Sequence, residues 1–321
     1  MSETNLAAPS HLKIIPFMKF RKLAMAFSLL LVLGSIVSLA VNGLQFGLDF
    51  TGGTQIQLQY PKPANLETVR SQLAKAGFDS AEVVYFGQET EVKVVMQEME
   101  DSRGKAPGEP TLTDRVVSAL SVDGDQVTLK SSAFVGPQVG EELRDLGGLG
   151  MVVALLVVMG YVAFRFQYKF SIGAVTALIH DVIIVLGVFS IFHLDFDLNE
   201  LAAVLAVIGY SLNDTIVVAD RIRENFRKIR QTSALEIVDI SLTETLGRTI
   251  VTSLTTLLVL VALFFVGGEI IHGFSIALIV GIVIGTYSSI YVAANILLML
   301  EISPQDLIEP VKEGADLDEL P

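Results

Sequence analysis

The chain has 321 residues, 51% of them hydrophobic and only 18% charged, with a mean hydropathy of +0.59. Its 22 basic and 35 acidic residues leave a formal net charge of −13, and it contains neither Cys nor Trp. These figures exclude a disulfide framework and any cysteine-based metal or redox centre, and the acidic balance argues against nucleic acid as a partner. A fully soluble reading fails because the apolar residues fall into long runs.

In chain order, residues 1–22 form a polar tail carrying Lys13, Lys19, Arg21 and Lys22. The first apolar run, Leu23 to Val41, lies in a span predicted over 23–43. Ser38-Leu39-Ala40 has the small-x-small form of a signal cleavage site, but the run is long for a signal peptide and reads as an anchor. Gly47-Leu48-Asp49-Phe50-Thr51-Gly52-Gly53 follows. Its glycines permit a tight turn or close backbone approach. The lysine and helix of a phosphate-binding loop are missing, so Gly47, Asp49, Gly52 and Gly53 read as a docking motif for the segment that follows.

Residues 44–146 carry 16 acidic and 9 basic residues. Thr54 to Tyr60 alternates as a strand does, and Leu66, Val69, Leu73 and Ala76 recur at helical spacing up to Gly77. Val83–Phe86 and Val92–Met96 read as strands, 98–110 as a charged Gly/Pro loop, Thr113–Leu120 as a helix and Val127–Ser131 as a last strand. That β-α-β-β-α-β order predicts a ferredoxin-like α+β domain.

Residues 147–300 hold five more apolar runs: about Leu149–Phe164, Phe170–Leu194, Leu198–Ala219, about Leu246–Val266 and Phe274–Leu300. Each can cross a hydrocarbon core of about 30 Å. A basic loop is predicted over 220–245. An acidic tail, 301–321, closes the chain with seven acidic residues and one Lys. The fold class is therefore an α-helical membrane protein with six transmembrane helices and an α+β domain between helices 1 and 2.

Eleven Lys and Arg residues fall on one side, in the first tail and in the loops after spans two and four. The loops after spans three and five have none. This asymmetry predicts both termini in the cytoplasm and residues 44–146 outside it.

Ionisable groups inside a bilayer are costly and mark candidate sites. Asp214 lies about 22 Å into the fourth span and Arg248 about 28 Å from the outer side of the fifth, a match in depth that lets them pair. Tyr210, Asn213 and Asp214 share one helix face, and Arg248, Thr252, Thr255 and Thr256 another, as a possible polar seam. Spacing alone supports a proton-carrying site and a structural ion pair equally. His180 and Asp181 sit near mid-membrane in the third span, where transport and interhelical hydrogen bonding are both open. Gly281 and Gly285 form a G-x-x-x-G, read as packing within the bundle. His11, His180, His193 and His272 are scattered, so no metal site is expected, and no cofactor.

The motifs GLDFTGG (47–53), VGPQVGEEL (135–143), ALIHDV (177–182), GYSLNDTIVVADRIREN (209–225) and ETLGRTIVTSLTTL (244–257) together resemble the SecF family of the bacterial SecD–SecF complex. The resemblance covers nearly the whole chain. It implies membership of the resistance–nodulation–division superfamily, pairing with SecD into a twelve-span unit in the bacterial inner membrane, and no catalytic chemistry of its own. It further implies work beside the SecYEG channel, with YajC and YidC as associates, to draw a translocating polypeptide across the membrane with the proton-motive force. The family's proton-path carboxylate and arginine fall on Asp214 and Arg248. Three other readings stand beside it. They are a half-unit of a small-molecule or lipid exporter, an intramembrane hydrolase using Asp181 and Asp214, and a scaffold with no transport role.

Overall fold

The structure is a computed structural model that describes residues 13–96, 110–121, 127–229 and 232–303. The sequence expectations for the charged loop at 98–109 and for most of the acidic tail lie outside the described residues.

Among these residues six helices are long and apolar enough to cross a membrane. They are α1 (Arg21–Val41, preceded by a 3-10 turn at Phe17–Phe20), α5 (Pro137–Arg165), α6 (Tyr168–Ile191), α7 (Leu198–Lys228), α8 (Ala234–Val266) and a last one broken in the middle. The last comprises α9 (His272–Ser288), a π-helical turn (Ser289–Ala293) and α10 (Ala294–Met299). About 61% of the apolar stretch of α6 is buried, against 6% in α5 and 17% in α1 and α8. Helices α6, α7 and α9 are thus the centre, around a core that includes Leu178, Val185, Phe189, Val204, Val207 and Ala277.

Close approach at the centre depends on small residues. A Cβ on Gly281 of α9 would collide with Val207 of α7, and one on Gly285 would press on Ser211 at 3.1 Å. A Cβ on Gly187 of α6 would strike Ser35 of α1, beside the Ser38–Ser190 hydroxyl bond of 2.8 Å. Without a hydrophobic drive between helices in lipid, such contacts and hydroxyl bonds hold the bundle.

Between α1 and α5 lies the α+β unit. In order it runs β1 (Gln45–Phe46), α2 (Leu48–Thr51), β2 (Gly53–Gln59), α3 (Leu66–Lys75), β3 (Glu82–Phe86), β4 (Gln88–Met96), α4 (Leu112–Leu120) and β5 (Thr128–Val135). The sheet order is β3-β4-β2-β5, all antiparallel. One face carries Ile56, Leu58, Val83, Val92 and Val94 against Leu73 of α3 and Val116 of α4, forming a core of its own. Asn65 caps α3, and Thr111 with Asp114 makes a capping box on α4, so both helices start where their first free amides find acceptors.

Two boundaries differ from the sequence expectation. Most of 220–245 is helix rather than loop: α7 runs on to Lys228, in keeping with a basic run after Asp220 that continues the fourth helix, and α8 starts at Ala234. Ion pairs within and between the helices offset the loss of apolar burial there, with Arg221 bridging Glu224 and Glu244 and Lys228 pairing with Glu224. Likewise α5 starts at Pro137 rather than near 147, because β5 passes through Gly136 directly into a helix with Pro at its first turn.

Candidate functional site

Two polar clusters occupy the centre of the bundle. The first surrounds Asp181, which is fully buried on α6. His180 Nδ1 lies 2.8 Å from Asp181 Oδ1. Ser211 Oγ of α7 donates to Asp181 Oδ2 at 2.5 Å, and Ser288 Oγ of α9 donates to the same oxygen at 2.8 Å. Sequential residues on a helix point about 100° apart, and the sequence did not unite His180 with Asp181; here the adjacent side chains turn toward each other. The His180 ring stacks on Tyr287, with centroids 6.4 Å apart, and its Nε2 is buried without a partner. Tyr287 in turn donates to the Ala24 carbonyl of α1 at 2.7 Å.

The second cluster surrounds Asp214, which is 2% exposed. Its carboxylate faces the hydroxyls of Ser253 on α8 and Thr286 on α9, which bond each other at 2.7 Å, and feels the charge of Arg248. Asp214 Oδ2 nevertheless has no hydrogen-bond partner, nor do Tyr210 Oη and Thr215 Oγ1 on the same helix. A buried carboxylate oxygen without a donor is costly as an anion.

The polar seam read from the sequence is not assembled as a single surface. Arg248 forms no ion pair with Asp214 among the described residues; it is exposed on the outside of α8, as Asn213 is on α7. Thr252, Thr255 and Thr256 return their hydroxyls to carbonyls of their own helix. Depth along the two helices puts the charges at a common level but leaves the rotation of α8 about its axis open. That rotation directs Ser253 inward and Arg248 outward. The serines and threonines that do face the carboxylates, Ser211, Ser253, Thr286 and Ser288, went unnoticed in the sequence. Their signal was present: Ser211 lies one turn before Asp214, and Thr286 and Ser288 lie one and three residues after Gly285.

At the other end of the bundle the glycine motif clasps the α+β unit to the helices. β1 pairs in parallel with β6 (Asp195–Phe196), the two residues before α7. A Cβ on Gly47 would enter the Asp197 carboxylate, and one on Gly52 would lie 2.7 Å from the backbone of Pro137. Gly52 also has φ +69°, a conformation that side chains disfavour. Gly53 starts β2, and Phe50 stacks on Phe196. Lys93 of β4 pairs with Asp195 at 2.5 Å. Asp197 is pushed up from the ordinary 3.8 to about 6, chiefly by burial and further by the negative charges of Asp49, Glu200 and Asp195.

A family model described as protein export membrane protein SecD/SecF, C-terminal, matches residues 116–303, and one described as the SecD/SecF GG motif matches 37–64. The protein translocase subunit SecF of Vibrio alginolyticus is 48% identical over 312 residues, covering 96% of this chain and 98% of that protein. The Pseudomonas aeruginosa subunit of the same name is 51% identical, covering 92% and 94%. Among solved structures, SecDF from Thermus thermophilus, described as a translocon-associated membrane protein, superposes with a TM-score of 0.80 at 36% identity. That match covers 90% of this chain, which spans only 39% of the Thermus protein. A SecDF crystal structure in a super-membrane-facing form matches with a TM-score of 0.67.

Proposed function

Since the chain belongs to the SecF family of SecD/SecF protein-export membrane proteins, we propose that it is the SecF half of a proton-driven accessory unit of the Sec pathway. In this reading it lies in the bacterial inner membrane with both termini cytoplasmic, as the Lys and Arg distribution favours. The α+β unit, whose strand order is that of a ferredoxin-like fold, is periplasmic. SecD covers the outside of α7 and α8 and completes a twelve-span bundle. The complex works beside SecYEG, with YajC and YidC as further associates, on an emerging polypeptide.

The observation that carries this reading is Asp214: a buried carboxylate at membrane depth with one oxygen unpartnered, and an arginine on the neighbouring helix left facing outward. Arg248 then has its role at the junction with SecD, within Coulomb reach of Asp214 without being locked to it. A proton from the periplasm neutralises Asp214, the α7–α8–α9 contacts rearrange, and the clasp at the far end of α7 passes the shift to the periplasmic domain. One charge crossing 100 mV releases about 2.3 kcal/mol, enough to bias a two-state rearrangement.

Two measurements test the assignment. Purification in mild detergent should recover SecD with the chain, and its absence would sink the pairing. The swapped pair Asp214→Arg with Arg248→Asp should assemble with SecD yet fail to respond to a proton gradient. If the swap restored the response, the pair would be a structural ion pair.

A further inference from the structure

The cluster around Asp181 has no part in the relay just described, yet it holds the features of a second proton site. The bonds joining His180 Nδ1, Asp181 and the two serines can be made in two protonation states. With Asp181 ionised, His180 Nδ1–H donates to Oδ1, while Ser211 and Ser288 donate to Oδ2. Ser288 Oγ has a second acceptor in reach, the Gly285 carbonyl at 3.1 Å. Its single hydrogen can therefore turn to Gly285 when Asp181 no longer needs it.

The open end of the cluster is His180 Nε2. The residue is 6% exposed and this nitrogen has no partner. A buried polar atom is normally bonded, and a histidine is the side chain best suited to gain and lose a proton near neutral pH. The π-helical turn starts at Ser289, the residue after Ser288. Such turns concentrate at functional sites. The other titratable groups on the elements packed against α6 at this depth are few. They are Tyr287 on α9, Tyr291 in the π turn, Tyr161 on α5, and Tyr210 and Asp214 on α7, and α1 has no charged residue from 23 to 41.

We propose that His180 and Asp181 form a second proton-binding station, which loads through His180 Nε2 and controls the Ser211 and Ser288 ties from α6 to α7 and α9. A proton binds Nε2, and Nδ1 passes its own proton to Asp181 Oδ1. The pair goes from one negative charge to none, with the histidine left neutral as the Nε2–H tautomer. The two serine bonds then lose their charge assistance and weaken. Release runs the same steps backward. Ser211 sits one turn from Asp214, and Thr286, which faces Asp214, lies two residues before Ser288. The station therefore bears on Asp214 from two helices at once. Its proposed part in export rests on the Asp214 relay reading; proton binding by the pair does not.

The test uses the full chain in its complex with SecD, in lipid, with His11, His193 and His272 replaced so that His180 is the sole histidine of this subunit. Selective ¹⁵N labelling of this subunit's histidine then reports both ring nitrogens. The ring should change protonation or tautomer in the course of the titration, and Asp181→Asn should shift that transition. A ring held in one state throughout would overturn the proposal. Repeating the titration with Asp214→Asn separates the two ideas: the His180 transition should persist even if the Asp214 reading fails. In export assays His180→Asn keeps a donor in place of Nδ1–H but removes the base. It should lose gradient-dependent stimulation, and full stimulation would contradict a working station. Should that variant fail to assemble, the ¹⁵N titration decides alone.

Discussion

Asp49 and Asp197 cap each other's helices. The Asp49 amide at the start of α2 donates to Asp197 Oδ1 at 3.1 Å, and the Asp49 carboxylate accepts from the Leu198 amide at the start of α7 at 3.3 Å. Asp197 also forms a capping box with Glu200. The exchange ties the first residues of the α+β unit to the helix that carries Asp214. Movement of α7 is therefore felt at the unit's base.

Asp197 makes this clasp sensitive to pH. Its raised pKa means that the docked state favours the protonated form. The stabilisation is fully present below about pH 4 and is lost as pH rises through about 6. Asp197→Asn, which keeps an acceptor for the Asp49 amide, should remove this dependence and leave the complex more heat-stable than wild type at pH 7. Thermal unfolding of the two proteins from pH 4 to 7 measures it. A variant less stable at pH 7, with an unchanged profile, would contradict the account.

Gly52 combines a positive φ with contact against Pro137 and Gly140. Gly52→Ala should cost about 1–3 kcal/mol from backbone strain alone, with the clash added. The damage should be local. Proteolysis should cut the junction near residue 52 faster, while α6, α7 and α9 keep their protection from hydrogen exchange.

Gly281 permits the close crossing of α9 over α7 in the bundle centre. Gly281→Ala should destabilise by about 1–3 kcal/mol through overpacking against Val207. Val207→Ala in the same chain should recover part of that loss. A double-mutant cycle in detergent reads the coupling, and strict additivity would show that the two residues do not press on each other.

The six spans and the α+β element order were legible in the sequence because both rest on local periodicity and length. Asp181 and Asp214 were legible because a carboxylate amid apolar residues stands out. What stayed hidden depended on helix rotation. Arg248 points outward and Ser253 inward, although both lie on one helix, and no local pattern sets that angle. The Asp49–Asp197 exchange was hidden for another reason: its partners are 148 residues apart. A trace of it is visible in Leu44-Gln45-Phe46-Gly47-Leu48-Asp49 and Leu194-Asp195-Phe196-Asp197-Leu198-Asn199, which share a pattern. Each follows a residue at positive φ that ends a span, Gly43 or His193.

Lys93 and Asp195 bridge the sheet to the bundle, which offers a lock. The chain has no cysteine, so a Lys93→Cys, Asp195→Cys pair can be joined by a bifunctional thiol reagent. Joined protein should support less gradient-driven export than either single variant treated alike. A cleavable reagent should return activity when cut. Undiminished export in the joined form would show that the unit need not move relative to the helices.

The most direct measurement concerns Asp214. Inverted membrane vesicles carrying the SecD–SecF complex should import a precursor polypeptide faster when a proton gradient is imposed. With Asp214→Asn, at equal complex levels, the gradient-dependent increment should vanish while import driven without the gradient is unchanged. An increment equal to that of wild type would contradict the claim that a proton on Asp214 drives the export step.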